Sequence, residues 1–240
     1  MCRHLAWFGA PRRLCDLVLT PQYGLLAQSY APRQQAHGTI NADGWGVGFF
    51  AEQTSGTGAV GEAARWRSER PLWGDASFAS VAPHLRSGRV VAAVRSATVG
   101  MPLDASAAAP FLHDGWLVSH NGVVSREVVG SSLAAESAGD SALLAARIVE
   151  QGIDNLAATL HHIAAGDPVA RMNLLLLSRD HLLAVAWGDT LYCRTDADGV
   201  LVASEPDATP GWTAVPDRHL LDITSAGTST TSLEIVEVSE

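Results

Sequence analysis

Two stretches, NLLLLS at 173–178 and LLAVAW at 182–187, are apolar at nearly every position. A strand with one wet face alternates apolar and polar residues, so a run that is apolar throughout predicts a strand covered on both faces. Arg179 and Asp180 between the runs supply a turn, which makes the pair a hairpin. Two stacked sheets of mostly antiparallel strands, held between layers of helices, satisfy that double burial. At 240 residues with 47% hydrophobic content, the chain is long enough to build such a core as one domain.

The remaining elements fit around this centre. Leu5–Phe8 reads as a buried strand, and APRRLCDLVL (10–19) as a short helix with Pro11 in its first turn. HGTINADGWGVGFF (37–50) packs four glycines into a turn entering an aromatic strand, so backbone must approach either a ligand or another strand there. Residues 52–74 read as a surface hairpin or loop, and Asp75 caps a helix reaching about Arg86. RVVAAVRSATVG (89–100) predicts a buried strand with a polar tip, and WLVSHNGVV (116–124) another, broken at Asn121 and Gly122. Two helices follow, capped by Asp140 or Ser141 and by Asp154, and then an antiparallel meander.

Charge and composition exclude several functions. A net charge of −9 disfavours nucleic acid and anionic membrane as partners. All 16 basic residues are arginine, which removes Schiff-base, lysine-base and P-loop chemistry. No run approaches the ~20 apolar residues of a membrane span, and the first residues lack a secretory core, so a cytoplasmic protein is expected. Three cysteines, Cys2, Cys15 and Cys193, are too few for a disulfide framework, and no histidine pair has zinc spacing. No cofactor and no metal are expected.

Cys2 follows the initiator methionine directly. Removal of Met1 would place a thiol and an α-amine, with ordinary pKa values of ~8.5 and ~7.7–8.0, on one residue, where the amine can take the thiol proton. The plain alternative is an accidental small hydrophobe. Arg95 can clamp a carboxylate or form a surface salt bridge. Asn121 and Gly122 can donate to an oxyanion or simply make a turn. Asp140 can bind an ammonium or only cap its helix, and Asp43 is equally open.

In chain order these residues resemble the class II, N-terminal-nucleophile glutamine amidotransferases. Cys2 matches the family's nucleophile, exposed by loss of Met1. RSAT matches its carboxylate clamp and gives Arg95 and Thr98; SHNG matches its oxyanion turn and gives Asn121 and Gly122; GDSALL matches its ammonium-binding helix start and gives Asp140. HGTINADGWGVG is a divergent form of its glycine-rich loop. Val99 stands where the family often has histidine, and His37 where it often has arginine. The resemblance implies an α+β fold of four layers, αββα, as one type 2 domain over 2–240. It also implies a small-molecule γ-glutamyl substrate.

The opening fifty residues look most like the stand-alone branch of that family acting in ergothioneine biosynthesis. That branch implies hydrolysis of a γ-glutamyl amide through a Cys2 thioester, with a trimethylammonium on the leaving group. Trp73, in a loop, is the tryptophan placed to meet such a cation. Two rivals stand beside this reading. One is a free glutaminase, or the glutaminase subunit of a two-component amidotransferase. The other is no enzyme at all, but a Cys-Arg-His amino terminus chelating copper or nickel.

Overall fold

In a computed structural model, the structure describes residues 2–52, 60–98 and 100–234. The chain opens with β1 (Arg3–Arg13), passes through two short helices, α1 (Leu14–Val18) and α2 (Leu25–Tyr30), and enters the hairpin β2 (Trp45–Glu52) and β3 (Val60–Ser68). After α3 (Ala76–Val81) come β4 (Arg86–Val94), β5 (Phe111–His113) and β6 (Trp116–Val123). Three helices follow: α4 (Arg126–Val129), α5 (Asp140–Gln151) and α6 (Leu156–Gly166). The last strands are β7 (Arg171–Leu177), β8 (His181–Ala186), β9 (Tyr192–Asp196), β10 (Gly199–Ala203), β11 (Thr213–Ala214), β12 (His219–Thr224) and β13 (Gly227–Ser232).

The strands form a seven-stranded sheet, β11-β9-β10-β1-β4-β2-β3, and a six-stranded sheet, β13-β12-β8-β7-β6-β5. Side-chain alternation explains the doubly apolar runs. On β7, Leu175 and Leu177 meet Ala6, Phe8 and Val91 of the other sheet, while Leu174 and Leu176 pack under Leu144, Ile148 and Leu160 of α5 and α6. The outer face of the seven-stranded sheet is covered by Leu14, Val18, Leu25 and Phe78 from α1, α2 and α3, packed on Trp7, Trp45 and Val90. The result is the expected αββα arrangement. Among the described residues, no helix is long and apolar enough to cross a membrane.

The structure differs from the sequence reading at several boundaries. Pro11 belongs to β1, not to a helix: the β1–β4 register shifts between Phe8 and Arg12, an irregularity that tolerates a residue without an N–H. β6 runs unbroken through Asn121 and Gly122, which pair with Asn173 and Met172 of β7. Gly139, not Asp140 or Ser141, caps α5, and α6 follows a 3-10 turn at Ile153–Asn155 with Asn155 as its cap. Asp75 does cap α3, accepting from Phe78 N at 2.9 Å. The C-terminal strands are not one meander: the β9–β10 hairpin crosses to the first sheet, where β10 covers the free edge of β1, and β12–β13 return to the second. Residues 53–59 of the expected loop lie outside the described residues, as does Val99.

The inter-sheet layer supplies a direct test. Leu175→Ala should lose about 2–5 kcal/mol in denaturant unfolding, because Leu175 is fully buried between the sheets. Leu133→Ala, on a fully exposed side chain, should stay within about 0.5 kcal/mol of the parent.

Candidate active site

Register brings the start of the chain to the meeting point of both sheets. Arg3 pairs with Val94 of β4 and Leu5 with Ala203 of β10, so one step further along β1 sets Cys2 opposite Arg95. Arg95 N donates to Gly44 O at 2.9 Å, which places the entry to β2 on the same sheet end. Leu5, Trp7, Ala92 and Val94 face the outer helices, so alternation sets Cys2 and Arg95 on the face toward the second sheet. There, Cys2 N donates to Asn121 Oδ1 at 3.1 Å. Asn121 is fully buried, and its Nδ2 lies 3.5 Å from Ser204 Oγ.

Asp140 reaches this end through the anchoring of α5. Its Oδ2 accepts from Val124 N at 3.3 Å, just past β6, and its Oδ1 from Ser141 N at 2.8 Å. His120 fixes the same helix start. Its Nε2–H donates to Arg171 O at 2.9 Å, so the neutral ring must accept at Nδ1, from Ser141 Oγ at 2.9 Å. This strut also dictates Gly122. A Cβ there would lie 1.9 Å from Arg171 O and 2.7 Å from His120 Nε2.

The Arg95–Thr98 segment is shaped by Asp43. Asp43 N donates to Arg95 O at 2.9 Å, and Asp43 Oδ2 accepts from Ala97 N at 2.8 Å. Arg95 Nη1 donates to Asp43 O at 3.4 Å, leaving most of its half-buried fork for other work. Thr98 is exposed, and among the described residues no hydrogen bond joins its side chain to the rest of the site. The glycine-rich stretch approaches protein: a Cβ on Gly46 would lie 2.5 Å from Ala109 O. Thus Cys2 and Asn121 touch, Arg95 flanks them by register, and Gly122 and Asp140 sit at the end of β6.

Several residues that hold this site escaped the sequence reading. Arg3 is fully buried and its Nε donates to Glu205 Oε1 at 2.6 Å, while Nη1 donates to Cys2 O at 3.2 Å. Glu205 Oε2 accepts from Arg33 N at 2.7 Å, tying the 31–41 loop to the same pair. An arginine inside an apolar strand is a signal for a buried partner, but nothing in the sequence names Glu205. His4 is fully buried, its Nδ1 within 3.1 Å of Ser119 Oγ. Burial, reinforced by His120 and Arg3, pushes its pKa down to about 3. Burial also lowers His120, against the opposing pull of Asp140.

The family described as glutamine amidotransferases class-II matches residues 21–141. The gamma-glutamyl-hercynylcysteine sulfoxide hydrolase of Mycolicibacterium smegmatis is 57% identical over 97% of this chain and 100% of its own length. The protein of the same name from Mycobacterium tuberculosis is 54% identical over 98% of this chain and 97% of its own. Among solved structures, a glutamine aminotransferase class-II domain protein from Silicibacter pomeroyi superposes with a TM-score of 0.68 at 20% identity, covering 98% of this chain and 100% of that one. The allosteric regulatory enzyme of purine biosynthesis gives 0.70 at 15% identity, over 98% of this chain and 49% of that one. These structural likenesses establish the fold alone.

Two measurements follow from the buried polar groups. Glu205→Ala strands a buried guanidinium and should cost about 3–5 kcal/mol in urea unfolding, whereas the double variant Arg3→Met/Glu205→Leu should recover most of that loss. His4 has a folded pKa below its ordinary 6.5, so the unfolded chain binds the proton first. Its contribution is fully present above pH 6.5 and is lost as pH falls toward about 3. His4→Gln should therefore flatten the acid limb of the stability–pH curve.

Proposed function

The chain belongs to the class-II glutamine amidotransferases, and from that membership we propose that it hydrolyses the γ-glutamyl amide of γ-glutamyl-hercynylcysteine sulfoxide, releasing glutamate and hercynylcysteine sulfoxide. The observation that carries the catalytic assignment is the contact of Cys2 N with Asn121 Oδ1 at 3.1 Å, on the sheet end shared with Arg95 and Asp140. The substrate follows from the full-length relatives. The working protein is a single type 2 domain over 2–240, with Met1 removed.

Each residue then has one task. Arg95 grips the glutamyl α-carboxylate through its fork, with Thr98 beside it, and Asp140 receives the α-ammonium. The α-amine of Cys2 takes the thiol proton, and the thiolate adds to the γ-carbonyl carbon. Asn121 Nδ2 and the Gly122 N–H hold the resulting oxyanion. Collapse of that intermediate breaks the C–N bond, and the ammonium returns its proton to the leaving amine. Water adds to the thioester by the same route, freeing glutamate and the thiol.

The chelator rival separates from this reading on physical grounds. A square-planar chelate needs the His4 ring and the Arg3 amide beside the terminal amine. Here His4 is buried with Nδ1 engaged by Ser119, and Arg3 is paired with Val94 in the ladder. Among the described residues, no group of three or more histidine, cysteine, aspartate or glutamate side chains is placed to hold a metal. A glutaminase would share the glutamyl site and differ only in the leaving group, so turnover of glutamine against the hercynyl substrate decides it.

Intact mass with diazo-oxo-norleucine tests the nucleophile. Met1 should be absent and one adduct should map to Cys2, since burial raises the thiol pKa of both Cys15 and Cys193. Adducts elsewhere, or full activity in Cys2→Ala, would overturn the mechanism. Arg95→Ala should lower kcat/KM for every γ-glutamyl substrate by about tenfold to a hundredfold, as expected for loss of a charged hydrogen-bonded pair.

A further inference from the structure

A cleft of about 430 Å³ opens between the 34–36 loop and the segment Gly188–Tyr192, with Asp217 also in its lining. A short bonded path joins it to Cys2. Cys2 N meets Asn121 Oδ1 at 3.1 Å, Asn121 Nδ2 lies 3.5 Å from Ser204 Oγ, and Ser204 O accepts from Thr190 Oγ1 at 2.9 Å. Thr190 lines the cleft.

The floor of this cleft is built, not loose. Asn173, directly across the ladder from Asn121, donates from Nδ2 to Asp189 O and Thr190 O, both at 3.0 Å, and its Oδ1 accepts from Trp187 N at 2.7 Å. One buried asparagine therefore fixes the loop relative to its neighbour at the reaction centre. The roof is fixed as well: Tyr192 OH donates to Gln34 Oε1 at 2.6 Å, and the adjacent Arg33 N is bound to Glu205. Asp189 is committed to Arg171 at 3.2 Å, and Asp217 Oδ1 accepts from Gly188 N at 2.7 Å at the exposed rim.

We propose that this cleft is the leaving-group subsite, in which the Tyr192 ring and the Asp217 carboxylate receive the trimethylammonium end of the hercynyl group. The proposal rests on the hydrolase reading above. A volume of this size suits a ligand of one heteroaromatic ring with its substituents. A quaternary ammonium has no N–H to donate, so an aromatic face and a nearby carboxylate recognise it where hydrogen-bond acceptors alone do not. Trp73 offers a weaker case: it lies half-exposed against Tyr30, edge to face with centroids 5.9 Å apart, and it does not line this cleft.

Steady-state kinetics on two substrates tests the assignment, with γ-glutamyl-hercynylcysteine sulfoxide set against γ-glutamyl-p-nitroanilide, which carries no cation. Tyr192→Leu and Asp217→Asn should each raise KM for the hercynyl substrate about tenfold, within the range of one cation–π or ionic contact. Both should cost the anilide, which has no cation to lose, clearly less than the hercynyl substrate. Equal losses on both substrates, no loss on either, or a loss confined to Trp73→Leu would overturn the subsite. If the unaltered protein shows no preference for the hercynyl substrate, the hydrolase reading itself falls, before any variant is compared.

Discussion

The buried ion pair between Arg3 and Glu205 sets the geometry on which the site depends. Two charges with almost no solvent exposure carry a large desolvation cost, and such a pair adds little net stability over an apolar replacement. What it adds here is position. The guanidinium holds the Cys2 carbonyl, the carboxylate follows directly after β10, and the same carboxylate captures the Arg33 amide. The ladder already pairs β1 with β10, and this one pair of side chains ties the Arg33 loop to their adjoining ends. An apolar pair would fill the space without holding the carbonyl or the loop.

Beneath that pair the double burial of β1 and β7 does the structural work. Each strand must be covered on two faces, and the only way to satisfy both is to stack the sheets and then plate each with helices. The proposed nucleophile, Cys2, therefore emerges at the rim of a closed sandwich, not on a free loop. Its neighbours come from strand ends whose register is set by apolar side chains several residues away, and a one-residue slip would turn Cys2 away from Asn121.

The sequence announced the apolar framework and the chemistry-bearing residues with different clarity. The runs at 173–178 and 182–187 were legible because burial leaves a compositional trace at every position. Asn121 and Gly122 were legible as residues but not as structure, since an Asn-Gly pair looks like a turn and only the partner strand reveals a ladder. Gly122 is glycine because of the Arg171 carbonyl and the His120 ring, which no local pattern discloses. Helix caps were misread where backbone and glycine took the role of a side chain, as at Gly139. Glu205 and Asn173 were illegible for a simpler reason: their partners lie far away in sequence, at Arg3 and at the 189–190 loop.

The two buried histidines bear on which group would act as base in the proposed mechanism. A histidine near a nucleophile is the usual proton acceptor, and His4 and His120 both lie close to Cys2 and Asn121 in the strands. Burial holds both rings neutral; His4 Nδ1 lies against Ser119 Oγ, and both nitrogens of His120 are spent, on Ser141 and the Arg171 carbonyl. Accepting a proton would require His120 to give up its bond from Ser141 and would place a cation beside His4 in a dry layer. These rings serve as uncharged ties, His4 from β1 to Ser119 of β6 and His120 from β6 to Ser141 of α5 and Arg171 of β7. On the proposed mechanism the proton therefore has to move within Cys2 itself, between thiol and amine, and the fold needs no second residue to carry it.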